Sequence, residues 1–555
     1  MKSNWWKETI VYQIYPRSFF DSNNDGIGDL NGITRKLDYL ADLGVETLWI
    51  SPFFKSPQKD FGYDISDYYK ISKEYGTDDD IDRLIQMVHA RDMKIVFDLV
   101  LNHTSNEHKW FIESSSSKYN PKHNYYLWQK GRDNNTKPPN NWKSMTGGSG
   151  WHYNDQRDQW YWAQFLPFQP DLNYREPEVQ KEMLKVVQYW LRKGVDGFRL
   201  DIINALFEDK NFEDNPFSPV FFPNSKNTSM FFQKTVNTLN HPDTLEFMQK
   251  LKQEVDIASK GNAFLVGEVS APLNILKQYV DPDKKRLDLV FLFQSMETPF
   301  TAKAFRKMLS SYEHEFPEPN IPTLVFGNHD VARRCSQLNS HIGKTKLNAA
   351  FQLTARGVPF IYNGEELGME QKHIPITEAK DPVALKFKYF PKFIFNIAKK
   401  LLRGSIHRDE SRTPMQWSPG KNAGFTSRKT QPWLEVHENH EKVNVSTEKK
   451  DPDSVLNCYR RFCAVRNKYP ALRKGKLTLL DKKKYPKQVL AYSRETADST
   501  ICTALLNFSG RPRRVRSEND GIIAASTRYE RCGMSVDKDT DLILAPWEGV
   551  LISED

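Results

Sequence analysis

Three acids far apart in the chain, Asp201, Glu268 and Asp330, each stand at the end of a short apolar run. Asp201 closes Gly197-Phe198-Arg199-Leu200, Glu268 follows Phe264-Leu265-Val266-Gly267, and Asp330 follows Gly327-Asn328-His329. Apolar runs ending in a polar residue read as strands of a parallel sheet delivering side chains at their carboxyl ends. Residues two apart on a strand share a face, so Arg199 and Asp201 point the same way. A fixed guanidinium keeps a neighbouring carboxylate ionised, which suits Asp201 to nucleophilic attack. Taken alone, the pair reads equally well as a structural ion pair. Glu268 leaves an apolar strand, and burial beside other acids raises a carboxyl pKa, which suits it to donate a proton. A nucleophile and a proton donor flanking one bond are the requirement of glycoside cleavage, with Asp330 placed to grip sugar hydroxyls. His103 and His329, next to acids, fit as hydrogen-bond donors to those hydroxyls.

Only a fold that gathers strand ends can assemble such a site. Strand-like runs occur at Thr9–Tyr15, Val45–Ile50, Lys94–Val100, Gly197–Asp201, Ala263–Gly267, Asp288–Leu292, Thr323–Phe326 and Val358–Tyr362. Helical periodicity at Leu30–Leu43, Asp79–Arg91 and Glu178–Lys193 separates several of them. This alternation predicts an α/β fold, a (β/α)8 barrel with its chemistry at the carboxyl ends of the strands. Residues 105–173, rich in Asn, Ser, Gly, Trp and Tyr, are too long for an ordinary loop and read as a small inserted domain after the third strand. The barrel is thus expected over 1–104 and 174–475, with an insertion at 370–424 after the eighth strand and a closing helix near Ser454–Lys468. Short β-like runs over 476–555 read as a C-terminal antiparallel β-sandwich.

The loop Asp21-Ser22-Asn23-Asn24-Asp25-Gly26-Ile27-Gly28-Asp29 carries oxygen donors at alternate positions and a glycine at the sixth. Asp21, Asn23, Asp25, the Ile27 carbonyl and Asp29 form a donor set for a structural Ca²⁺. The bidentate Glu of an EF-hand is missing, because Gly32 stands there. The alternative is an Asx-rich turn without metal.

Composition excludes other classes. A net charge of +9 over 555 residues, without long like-charge blocks, argues against nucleic-acid binding. No apolar run is long enough for a membrane span, and the N-terminus lacks a signal-peptide core. Five irregularly spaced cysteines argue against a disulfide framework or structural zinc, and with the N-terminus they favour the cytoplasm. Gly147-Gly148-Ser149-Gly150-Trp151 only imitates a nucleophile elbow, and His437-Glu438-Asn439-His440 is one residue short of a zincin helix.

The chain resembles the α-amylase superfamily, glycoside hydrolase family 13, in its α-glucosidase and oligo-1,6-glucosidase branch. The resemblance rests on Asp98…Asn102-His103, Gly197-Phe198-Arg199-Leu200-Asp201, Gly267-Glu268, Asn328-His329-Asp330 and Gln169-Pro170-Asp171-Leu172-Asn173. It implies a retaining double displacement with Asp201 as nucleophile, Glu268 as acid/base and Asp330 as transition-state stabiliser. It further implies that His103, His329 and Arg199 contact the reacting sugar, that Tyr63 and Phe165 pack on it, and that Asp64 and Arg408 hold its non-reducing end. The Asp21–Asp29 loop matches the branch's usual cation loop. Ile202, after the nucleophile, is bulky and apolar like the Val that accompanies α-1,6 preference in relatives. Thr146 stands where relatives often carry Phe, which opens that wall of the pocket. The implied activity is an exo-acting α-glucosidase on short oligosaccharides, a monomer or weak homodimer, cutting α-1,6 and also α-1,4 or sucrose bonds. The alternatives are a sucrose isomerase or transglucosylase of the same family and a non-catalytic homologue acting as a binding or chaperone module.

Overall fold

A computed structural model describes residues 4–221, 228–389, 391–401, 404, 406–497 and 501–554. Eight strands form one parallel sheet: β1 (Val11–Ile14), β2 (Thr47–Ile50), β3 (Lys94–Val100), β4 (Gly197–Asp201), β5 (Phe264–Gly267), β6 (Leu289–Val290), β7 (Thr323–Val325) and β8 (Val358–Tyr362). Consecutive strands pair from β1 to β6 and from β7 to β8, and β1 also pairs with β8, so the sheet curls into a barrel. At the seam between β6 and β7 a side chain replaces the backbone ladder. The Thr323 hydroxyl accepts from Leu292 N at 2.9 Å and donates to the Val290 carbonyl at 2.9 Å.

Helices follow the strands and cover the outside, among them Asp78–His89, Pro177–Arg192, Pro242–Ala258, Ala302–Glu315 and Ile342–Thr354. Asp78–His89 starts at a reciprocal capping box in which Thr77 and Asp80 satisfy each other's free N–H groups. Val455–Lys468 packs as the closing helix.

Strand alternation separates two cores. Phe97, Leu99, Phe198 and Leu200 face the helices, whereas Val11, Trp49, Val96, Phe264, Val266, Val325 and Phe360 fill the barrel. One step further along the inward faces, apolar residues give way to Gln13, Asp98, Arg199, Asp201 and Glu268. The barrel floor is therefore dry and its carboxyl end charged.

After β3, strands Trp128–Gln129, Gln159–Trp162 and Trp151–Asn154 form a small antiparallel sheet. Trp142, Trp151, Trp162 and Leu127 pack as its core. At the C-terminus, a six-stranded antiparallel sheet packs against the ribbon Arg513–Arg516/Asp541–Leu544 through Val515, Ile523, Leu544 and Val550. Among the described residues, no helix is long and apolar enough to cross a membrane. All five cysteines are free, four of them buried.

Candidate active site

Ladder register decides which side chains meet. Asp98 on β3 lies opposite Arg199 on β4, and Val100 lies opposite Asp201. Leu200 lies opposite Gly267 on β5, which brings Glu268 one step beyond. Gly267 permits this approach, since a Cβ there would lie 2.6 Å from the side chains of Ile203 and Leu287.

Arg199 ties the acids together. Its Nη1 lies 2.8 Å from Asp98 Oδ1 and 2.6 Å from Asp201 Oδ1, and its Nη2 contacts Glu268 Oε2. All four groups are nearly buried. Burial pushes the Glu268 carboxyl well above its ordinary range, and the negative charges of Asp201, Asp330 and Asp98 add to this against the pull of Arg199. Asp98 is pushed up to about 7, again mainly by burial. It accepts from Trp49 Nε1 at 3.2 Å and from the Tyr63 hydroxyl at 3.3 Å.

Asp330 behaves oppositely. Burial opposes its ionisation, but the surrounding His329 and arginines outweigh that and hold its carboxyl below the usual range. Arg412 Nη2 lies 2.9 Å from Asp330 Oδ1, and Arg408 Nη1 lies 3.6 Å away. His329 is itself pushed down to about 3 by burial, so near neutrality the arginines carry the effect. Asp330 is thus a standing anion and Glu268 a reluctant one, the division of labour that acid-assisted displacement requires.

Ile202, directly after Asp201, adopts φ 37°, ψ 48°, a left-handed conformation that a β-branched residue rarely takes. The bend turns the chain off β4 and brings the Ile202 side chain to the cavity wall. Strain of this kind persists where surrounding structure over-determines it, as at functional sites.

A cavity of about 770 Å³ opens over the acids. Asp201, Glu268, Asp330, Tyr63, His103, Phe165, Ile202 and Arg408 all line it. His103 is pushed down to about 4 by burial, so it is neutral and one ring nitrogen contacts the Tyr63 carbonyl at 3.2 Å.

Three expected sugar contacts are placed differently. Asp64 is fully buried away from the cavity, accepting from Ser56 Oγ, Lys59 N and Asp60 N. The acid that meets Arg408 is Asp60, at 2.7 Å, with Asp381 at 2.7 Å on the same guanidinium. The loop turns so that the Asp60 side chain enters the cavity while Asp64 holds the loop's own N–H groups. His329 stands behind the wall, with Gln13 Nε2 at 2.8 Å from Nδ1 and the Tyr63 hydroxyl at 2.6 Å from Nε2. With the Gln13 amide donating to Nδ1, the ring proton sits on Nε2. Arg199 is also absent from the wall, and its Nη1 and Nη2 are taken up by Asp98, Asp201 and Glu268. Both residues position the groups that do line the cavity.

Asp60, Asp381, Arg412 and Lys386 were not legible as site residues. Asp60 lay four positions before Asp64 in the same loop, and Arg412 lay in the run His407–Trp417. Nothing local distinguished Asp381 or Lys386.

In the Asp21–Asp29 loop, Asp21 accepts from Asn24 N at 2.7 Å and Gly26 N at 2.8 Å, and Asp25 accepts from Ile27 N at 2.8 Å. Asp29 caps the following helix through Gly32 N at 2.7 Å. Gly26 has φ +94°, and a Cβ there would lie 2.3 Å from the Gln431 carbonyl, so the sharp turn is obligatory. Among the described residues, no three carboxylate, imidazole or thiolate groups converge as a metal cage. The loop presents hard oxygen donors, the chemistry Ca²⁺ takes, while both oxygens of Asp21 and of Asp29 already accept from N–H or hydroxyl groups.

Comparison with known proteins bears on the whole assembly. A family model described as alpha amylase, catalytic domain, matches residues 13–475. An oligo-1,6-glucosidase of Parageobacillus thermoglucosidasius is 36% identical over 576 residues, spanning 99% of this chain and 98% of the relative. An alpha-glucosidase of Apis mellifera is 36% identical over 514 residues, covering 92% and 86%. Among solved structures, the alpha-glucosyl transfer enzyme XgtA is 35% identical with a TM-score of 0.87, covering 99% of both chains. The trehalulose synthase MutB from Pseudomonas mesoacidophila is 33% identical with a TM-score of 0.87, again covering 99% of both. The acid-rimmed barrel and these similarities together make the chain an enzyme of the α-amylase superfamily, glycoside hydrolase family 13, in the branch of the oligo-1,6-glucosidases and α-glucosidases.

Proposed function

We propose that the enzyme removes an α-glucosyl unit from the non-reducing end of a short α-glucoside or sucrose and passes it, with retained configuration, to a sugar hydroxyl, with water as the competing acceptor. The observation that carries this is the acceptor side of the cavity. Met145, Phe221, Phe231, Phe387, Phe395 and Ile406 line it beside the acids. An apolar, aromatic wall favours the face of a second sugar over bulk water. The sequence favoured hydrolysis, with transfer as the alternative. This wall, and the similarity to a solved α-glucosyl transfer enzyme and a trehalulose synthase, support the reverse order.

In this reading Asp201 attacks the anomeric carbon while Glu268 protonates the departing oxygen. Glu268 then takes a proton from the incoming hydroxyl as the glucosyl–Asp201 ester breaks. The shared contact of both carboxyls with one Arg199 guanidinium supports the close spacing of the retaining route, ~5–5.5 Å, over the wider inverting one. Tyr63 and Phe165 pack on the bound ring, His103 contacts it, and Asp330 tightens on its hydroxyls. Asp60 and Arg408 close the pocket on the non-reducing end. The Asp21–Asp29 loop would hold a structural Ca²⁺ through Asp21, Asn23, Asp25, the Ile27 carbonyl and Asp29. The free cysteines support a reducing, cytoplasmic setting.

A second reading, hydrolysis with α-1,6 preference, is favoured by the apolar Ile202 at the wall and by relatives named oligo-1,6-glucosidase. Product analysis on sucrose separates the two, alongside kcat/KM on isomaltose, maltose, sucrose and trehalose. Isomerised disaccharide or longer glucosides support transfer. Free glucose and fructose alone, at all sugar concentrations, overturn it.

A further inference from the structure

A second cavity, of about 520 Å³, lies at the other end of the barrel. Its wall is built from the segment before β1 (Lys7 and Glu8), the turns before β7 and β8 (Glu318–Ile321 and Arg356), and the chain entering the C-terminal sandwich (Arg473–Gly475 and Arg494). It is separated from the active site by the length of the strands, because the acids sit at their carboxyl ends and this cavity at their amino ends.

Five cations line it, Lys7, Arg356, Arg473, Lys474 and Arg494, against two acids, Glu8 and Glu318. Glu8 is already shared, 3.5 Å from Arg473 and 3.4 Å from Lys474. Arg356 has Glu313 at 3.3 Å, and Arg473 has Glu46 at 3.0 Å. Arg494 is different. It is 1% exposed, and its fork donates to the Gly475 and Thr354 carbonyls at 3.0 and 3.1 Å. Behind it Arg466, also buried, donates only to the carbonyls of Leu353, Ala355 and Gly357. Among the described residues neither arginine forms an ion pair with a carboxylate. Burial first, and then the repulsion of Arg466 and Arg356, push Arg494 down to about 9. Buried charge without a counter-ion is costly, and the arrangement persists most readily when an anion completes it.

We propose that this cavity is a binding site for a phosphate-class anion, either inorganic phosphate or the phosphoryl group of a small metabolite. Arg356 Nη1 and Nη2 are held by Glu313 and the Phe316 and Asn320 carbonyls, so Arg356 adds charge to the wall. Among the described residues Arg473 Nη1 and Arg494 Nη2 have no hydrogen-bond partner and can donate to phosphate oxygens, and Lys7 and Lys474 add point charges at the rim. Neither the proposed sugar chemistry nor the family's acids have any use for these residues. A bound anion bridges three parts of the chain, the N-terminal segment, the strand entries and the sandwich, so it stabilises their junction.

The test is isothermal titration of the full-length enzyme with inorganic phosphate, at constant ionic strength set with chloride, paired with thermal melting. A parallel titration with glucose 6-phosphate distinguishes free phosphate from a phosphorylated metabolite as the preferred source. Saturable one-site binding and a rise in Tm are expected. In the rim variant K7M/K474M binding weakens about tenfold or more, with turnover of a chromogenic α-glucoside unchanged. In R494M, checked for folding by circular dichroism, binding is lost. If R494M does not fold, the rim variant decides. Absence of saturable binding by wild type, or equal binding by wild type and the rim variant, overturns the site.

Discussion

The Arg408 guanidinium lies 2.7 Å from Asp60 and 2.7 Å from Asp381, while Asp64, four residues along the same loop from Asp60, faces away into backbone N–H groups. Two acids in one loop thus have different tasks. Asp60→Asn is expected to lower kcat/KM by about 10- to 100-fold, the ~1.5–3 kcal/mol of a charge-assisted hydrogen bond, with little change in Tm. Asp64→Asn is expected to lower Tm and leave KM close to wild type. Steady-state kinetics and melting of both variants check the pair, and the opposite pattern returns the sugar-holding role to Asp64.

Asp201→Asn removes the nucleophile while keeping a group that can accept from Arg199. Turnover should fall by several orders of magnitude, and the far-ultraviolet circular dichroism spectrum should not change. Near-normal turnover sinks the assignment.

The raised Glu268 carboxyl predicts a basic limb in the pH profile. A general acid must carry its proton, so kcat/KM on an unactivated disaccharide falls as pH rises through the raised value. Glu268→Gln should lose about 10²–10⁴-fold on that substrate, lose the limb, and lose far less on a substrate whose leaving group needs no protonation. A basic limb that survives in Glu268→Gln assigns the acid elsewhere.

Lys386 reaches across the cavity mouth to the Thr146 hydroxyl, joining the insertion after β8 to the small inserted domain. Thr146 is the position where the sequence left the wall open. Lys386→Ala should loosen that mouth and shift product from transfer toward hydrolysis by about fivefold, on the order of 1 kcal/mol. The ratio of transferred to free glucose at fixed acceptor concentration reads this directly. An unchanged ratio removes Lys386 from acceptor selection.

Calcium in the Asp21–Asp29 loop predicts that a chelator lowers Tm and that Ca²⁺ restores it, by about 2.7 kcal/mol of stabilisation at a hundredfold excess over Kd. Asp21→Ala should abolish the Ca²⁺-dependent part of Tm. Melting curves that ignore both chelator and Ca²⁺ exclude a structural ion there.

Much of the fold was legible because barrels repeat a local signal. Apolar runs such as Lys94–Val100 and Val358–Tyr362 carry their own strand propensity, and the helices between them carry their own period. The helix expected over Leu30–Leu43 is broken at Lys36 into Leu30–Arg35 and Leu37–Leu43, a detail of capping that periodicity does not encode. The loop after β4 contributes Phe221 and Phe231 to the cavity, and no strand or helix period in its sequence places them there.

The sequence by itself determined the types and order of the chemical groups: three acids at strand ends, an arginine two residues before one of them, an oxygen-rich loop, and a barrel to hold them. Those properties are local, written in residue type and in periods of two and 3.6. Only the tertiary structure decided which acid meets Arg408, that His329 and Arg199 stand behind the wall, and that Arg494 is buried beside a second, basic cavity. Such outcomes depend on ladder register and on which way a loop turns, and a shift of one residue in either reverses the direction a side chain faces.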